Sequence, residues 1–272
     1  MRINFLFIVF ALFSSCESTV TDVDPPQVDP ELVVFSFISP EADSILVEVR
    51  MTTPVFAKST LENDRVSDAT VVLSSTTSSA TLPFTTNGRY VIHKSIFLLM
   101  GGGTYRLEVS TPRGERATAI TRIPSSNPAI DSLQEYRVPL GFGQFKNMNR
   151  IFWQDSPAEV NFYRIMSRDV QAFWFGDTTY FTVENALSKD EGKNGLQMTA
   201  GVGFYNFEED SLFVMRDILL LTTDNSYYKY HVKRLNYTGS NPFEEPLPMY
   251  DNIDGGVGCF SSYRLSRYKI GF

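Results

Sequence analysis

Between Leu32 and Ile123 apolar and polar residues alternate in short runs that turn residues interrupt. LVVFSFI (32–38) and SILVEVRM (44–51) are rich in β-branched and aromatic residues and read as strands. DATVVLSS (68–75) sets Ala69, Val71 and Leu73 on one face, the period-2 pattern of a half-buried strand. TLPF (81–84) is short, and Pro83 marks a sheet edge. Asn87-Gly88 is a hairpin signal that leads into RYVIHKS (89–95). GTYRLEVST (103–111) places Tyr105, Leu107 and Val109 on one face, and ERATAITRI (115–123) follows the turn Pro112-Arg113-Gly114. Residues 57–66 read as an irregular excursion. About seven strands in about 95 residues, with turns every 8–12, predict an immunoglobulin-like β-sandwich over 31–124. The Cys–Trp–Cys core of antibody domains is absent.

PSSNP (124–128) is a turn-rich break that no apolar run crosses, so the sequence divides there. Residues 125–272 predict a second β-rich domain, barrel- or sandwich-like. Its candidate strands are 130–138, 150–155, 160–170, 172–183 and 196–207, with 211–223 as one strand or two and 256–270 as a final strand or hairpin. DNSYYKYHVKRL (224–235) reads differently. Asp224 suits an N-cap, and Tyr227, Tyr228, His231 and Leu235 lie at helical spacing, so one helix is expected. Residues 241–248 form a Pro-rich loop. The fold class is therefore mainly β.

The first residues carry an address. MRINFLFIVFALFSSC has a positive Arg2, an apolar stretch from Ile3 to Phe13, and Ser14-Ser15 in front of Cys16. The apolar stretch suits a signal-peptide core and falls short of the ~20 residues of a membrane-spanning helix. The order resembles a bacterial lipoprotein signal, although Phe13 stands at the usual Leu position and Leu12 one place further out. On this reading residues 1–15 are a signal peptide. Cys16 is the lipidation site, with a diacylglycerol on its sulfur and an acyl chain such as palmitate on its new amino group. Three chains give stable anchoring. The polar, acidic and Pro-rich remainder of 16–30 is a tether. The alternative is an ordinary signal peptide with an incidental Cys.

Composition narrows the function. The chain has 272 residues, 24 Lys+Arg against 31 Asp+Glu and a net charge of −7. Such an acidic balance argues against nucleic acid as a partner. Two His and two Cys leave little material for zinc or for nucleophile–base chemistry, and no cofactor or metal site is read. With Cys16 acylated, Cys259 stands alone in GVGCFSSY and reads as a small buried residue. His93 and His231 fall in different halves and read as surface or satisfied core residues. Glu208-Glu209-Asp210 reads as a solvated turn. The aromatic runs Phe173-Trp174-Phe175 and Tyr180-Phe181 read as core, with a binding face as the alternative.

In NIDGGVGCF, Asn252 suits a turn, Gly255, Gly256 and Gly258 permit positive φ or close backbone approach, and Phe260 suits a core. A phosphate-cradling loop or a calcium loop on Asp251 and Asp254 is the sharper reading. The first lacks a following helix and Lys, and the second lacks the usual ligand run. Together with NPFEEP (241–246), this segment resembles the closing signature of a family of Bacteroidetes lipoproteins, domain-of-unknown-function family 4249, with Asn241 in place of an Asp. The lipobox Cys16, Val23-Asp24, Leu32-Val33-Val34, Gly103 and Tyr105, Ile123-Pro124 and Ile130-Asp131 agree with it. The resemblance implies an outer-membrane lipoprotein, commonly encoded beside TonB-dependent receptors, and assigns no activity to any residue. The expected function is a non-catalytic accessory or ligand-capture partner of a TonB-dependent β-barrel transporter. The alternatives are a surface-polymer hydrolase using C-terminal carboxylates and a structural adhesin.

Overall fold

The computed structural model describes residues 29–53, 64–157, 159–172, 178–203, 213–237 and 248–270. Cys16, Phe173-Trp174-Phe175, Glu208-Glu209-Asp210, the 241–246 segment and most of the 57–66 excursion lie outside these residues. So do the side chains of Tyr180 and Phe181. Strands dominate, and the one helix among the described residues falls where the sequence predicts it.

The first half folds as β1 (Leu32–Ile38), β2 (Ser44–Met51), β3 (Thr70–Ser74), β4 (Ser79–Leu82), β5 (Phe84–Thr86), β6 (Arg89–His93), β7 (Thr104–Ser110) and β8 (Arg116–Arg122). These strands form two facing layers. One is the four-stranded sheet β4-β3-β7-β8, and the other contains β1-β2-β6-β5. The alternating positions Val34, Val47, Val71, Leu73, Tyr105, Leu107 and Val109 meet between them in one core. Burying such side chains against each other is the main force holding the layers together. TLPF, read as one short strand, is divided. Pro83 lies where the chain leaves β4 in one sheet and enters β5 in the other. Asn87 and Gly88 both have positive φ, 55° and 73°, as the tight turn between β5 and β6 requires.

The second half adds β9 (Ile130–Gly141), β10 (Gln144–Gln154), β11 (Phe162–Ala172), β12 (Thr178–Lys189), β13 (Gln197–Val202), β14 (Phe213–Thr223), helix α1 (Asn225–Asn236) and β15 (Val257–Ile270). A three-stranded sheet, β13-β10-β9, faces the portion β12-β11-β14-β15 of the large sheet. Ile151, Trp153, Tyr163, Ile165, Ile218 and Leu220 fill the core between them. The second half is thus β-rich, as expected, with its three-stranded sheet packed on the large sheet. Within the segment read as one strand or two, Phe213–Thr223 is one strand, and the last segment is one 14-residue strand and not a hairpin.

That last strand joins the two halves. The first part of β15 runs parallel to β1, from Val33↔Val257 to Ile38↔Ser262. Its second part runs antiparallel to β14, from Thr223↔Tyr263 to Arg216↔Ile270. One eight-stranded sheet, β12-β11-β14-β15-β1-β2-β6-β5, results. The first core takes Ile253 and Phe260 from the far end of the chain. The sequence break at 124 therefore marks where the chain crosses over, and the first core extends beyond residues 31–124.

Helix α1 lies on the outer face of this shared sheet. Asp224 caps it, accepting from the Tyr227 N–H at 2.7 Å. Tyr227, Tyr230 and His231 pack on Phe37 of β1, with ring centroids 5.4–5.6 Å apart. Leu235, placed on the buried stripe by its spacing, is instead 53% exposed, because it lies in the last turn.

Candidate functional site

The predicted Gly-rich segment is a clasp. Asp251 Oδ1 accepts from the N–H groups of Ile253 at 2.9 Å and Gly258 at 3.1 Å. The Asn252 amide donates to the Phe260 carbonyl at 2.8 Å and accepts from the Phe260 N–H at 2.9 Å. One side chain thereby acts as a strand neighbour to one residue. Asp254 bridges Thr118 of β8 through two 2.8 Å backbone bonds. The glycines are needed for approach. A Cβ on Gly255 would stand 2.2 Å from the Arg116 carbonyl oxygen, on Gly256 2.5 Å from that of Leu32, and on Gly258 2.1 Å from that of Val34. The Gly258 N–H is already donated to Asp251, and the loop leads into a strand and not a helix. Both features weigh against the phosphate-cradle reading. Asp251 Oδ1 is taken up by two backbone amides. Among the described residues no three His, Cys, Asp or Glu side chains gather as a metal site requires.

A second group of polar residues sits where the halves meet. A cleft of about 180 Å³ is lined by Pro124, Glu159, Asn161, Phe162, Thr223 and Asp224, among others. Asp224 is the perturbed group there. Burial pushes its carboxyl up to about 6, against the opposing effect of its hydrogen bonds. Thr121 donates to its Oδ2, as do the N–H and hydroxyl of Ser262 at 3.2 and 3.4 Å. Both oxygens are engaged, so the carboxyl ties β8, β15 and α1 together. Glu159 is held by the hydroxyl of Ser125.

The sign of the pH effect follows. The folded protein holds the Asp224 proton more tightly than the unfolded chain. The resulting stability is full below about pH 4 and is lost as pH rises toward 6. Asp224→Asn removes this slope. The difference in unfolding free energy between wild type and variant is expected to change by about 2 kcal/mol between pH 4 and 7, discounted for partial solvent contact. Denaturant titration at a series of pH values measures it.

Two further buried carboxyls lie beneath the three-stranded sheet. Asp155 accepts from the Tyr163 hydroxyl at 2.5 Å, the Asn161 amide at 3.2 Å and the Gly195 N–H at 2.7 Å. Asp190 accepts from the Asn161 N–H at 2.9 Å. Burial, then Asp155, drives the Tyr163 phenol well above its ordinary range. This network holds the turns around 155–161 and 190–195.

His93 is exposed and bonds Ser95 at 2.8 Å. His231 is buried beside Arg164, whose Nη1 donates to the Tyr227 hydroxyl at 2.9 Å and lies 2.9 Å from the imidazole nitrogens. Desolvation first, and then the Arg164 charge, lower the imidazole to about 3, so it stays neutral. Cys259 is fully buried and burial pushes its thiol up to about 12. It is expected to resist iodoacetamide at pH 8 in the native protein and to react fully after unfolding, as peptide mass spectrometry can measure.

The family described as "Domain of unknown function (DUF4249)" matches residues 18–269. The chain belongs to this family. Among solved structures, a two-domain fibronectin type III segment from chicken tenascin is similar at 10% identity. The match covers 71% of this chain and 91% of that one, with a TM-score of 0.21. A comparison with curated proteins gives no match.

Two features of this DUF4249 chain escape the sequence reading. Ile96, Leu98 and Met100 are 71%, 73% and 63% exposed on the connection between β6 and β7, while Phe97 and Leu99 point into the core. Their alternation was available as a signal, but it does not say which face is inside. The pairing of β9 with β10 also continues outward to a Phe142-Gly143 turn. The sequence reading assigns no element to 139–149, where Pro139 and the glycines fall.

Proposed function

We propose that the chain is a non-catalytic outer-membrane lipoprotein, held by an acylated Cys16, that serves a TonB-dependent transporter as accessory or ligand-capture partner. The observation that carries this reading is the leader ending in Ser14-Ser15-Cys16 before an acidic tether. The buried polar groups add support. Asp224 has the raised carboxyl a hydrolase would use as a general acid, yet its oxygens are taken up by Tyr227, Thr121 and Ser262. The apolar side chains on the surface at 96–100 suit contact with a partner.

Affinity purification of the tagged full chain from mildly solubilised outer membrane tests the proposal. A β-barrel transporter recovered in stoichiometric amount, and lost with Cys16→Ser, is the expected result. Recovery of the chain without any barrel protein would turn attention to the hydrolase reading.

A further inference from the structure

Among the described residues, the β9–β10 hairpin extends beyond the rest of its sheet. Strand β13 pairs with β10 only over Asn149–Gln154. Beyond that level, among the described residues, the two strands pair only with each other as far as Gly141↔Gln144. This leaves a two-stranded arm of about 20 Å. Its turn residues Phe142 and Gly143 have φ of 50° and 75°. Phe142 is fully exposed and Phe145 is 60% exposed. A lone hairpin is marginal in water and gains from a third strand. A bulky residue held at positive φ with its ring in solvent also calls for an explanation.

Strand β9 is at the edge of its sheet, and among the described residues nothing pairs with its outer side. Its exposed stretch reads Gln134-Glu135-Tyr136-Arg137-Val138. This order is self-complementary about Tyr136. In an antiparallel pair of two such strands centred there, Glu135 of each copy stands opposite Arg137 of the other. The two pairs that flank the axis then join opposite charges. In the same register Phe142 lies level with Ile130 of the second copy, so each arm tip runs back along the base of the other arm. The contact is isologous and closes at two copies.

We infer that β9 is a homodimer interface, in which two copies of this chain pair their β9 edges antiparallel about Tyr136 into a continuous six-stranded sheet. The inference concerns the body alone and does not depend on the lipid anchor or on a transporter.

Cysteine crosslinking and a charge swap in the full chain test it. Residues on a two-fold axis of paired strands have Cα atoms about 4.5–5.5 Å apart, within disulfide range. Tyr136→Cys is expected to form a disulfide-linked dimer under mild oxidation, while Leu46→Cys, exposed on β2, stays monomeric. Arg137→Glu creates two like-charge pairs per dimer and is expected to weaken association at least about tenfold in light scattering. Adding Glu135→Arg restores the opposite-charge pairs, and with them the wild-type association. A monomeric Tyr136→Cys chain, a crosslink to a different protein, or a double variant no better than Arg137→Glu would each overturn the proposal.

Discussion

Gly258→Ala is expected to destabilise the protein by about 4 kcal/mol or more, lowering its melting temperature by roughly 10 °C. Gly258 has φ of 132°, and its missing Cβ leaves room for the Val34 carbonyl of the parallel neighbour β1. An added methyl group meets backbone on a paired strand, which cannot step aside without opening the β1–β15 ladder. The loss is expected to reach both halves. Phe260, two residues on, is in the first core, whereas Tyr268 and Ile270 of the same strand pack against the second. Both tryptophans, Trp153 and Trp174, lie in the second half of the chain. Gly258 abuts β1 beside the first core, and Trp153 lies in the second, so the fluorescence reports whether a disturbance at β1 reaches the second core. A single transition, shifted together in fluorescence and circular dichroism, is the expected result. A fluorescence transition left at its wild-type temperature would show that the shared strand does not couple the halves.

Trp153→Ala is expected to cost about 4 kcal/mol, from lost burial and from the cavity left behind. Trp153 is fully buried and meets the Tyr163 ring edge-on, with centroids 5.2 Å apart at 67°. Tyr163 in turn donates to buried Asp155. The cavity thus adjoins a hydrogen-bond network that has little freedom to collapse into it. Trp153→Phe keeps a ring at the site and is expected to cost only about 1–2 kcal/mol. Urea denaturation of the two variants measures the difference. Equal losses for Ala and Phe would indicate that ring packing contributes little to this core.

How much of this was legible depends on the kind of signal. Alternation at Val71 and Leu73, or at Tyr105, Leu107 and Val109, identifies strands because each has one wet face and one dry face. Asp224 and the Tyr227–His231 spacing identify the helix because capping and amphipathicity are local. The glycines of the clasp are legible as needing close approach, but what approaches is not, since the Arg116, Leu32 and Val34 carbonyls lie more than a hundred residues away. For the same reason the sequence cannot show that β15 pairs with β1, nor that Phe260 belongs to the first core. Pro83 signals a sheet edge, but its role in moving the chain between sheets needs the tertiary fold. The raised carboxyl of Asp224 comes from burial by three separate elements, and no local pattern encodes that.

The proposed role rests on Cys16. The intact mass of the mature protein, isolated from membranes and sequenced at its N-terminus, tests it most directly. The expected chain starts at Cys16, carries three acyl chains and has its thiol blocked, and Cys16→Ser abolishes both the modification and the membrane association. A chain beginning at another residue, or one with a free Cys16 thiol, would contradict the lipoprotein reading and the transporter partnership built on it.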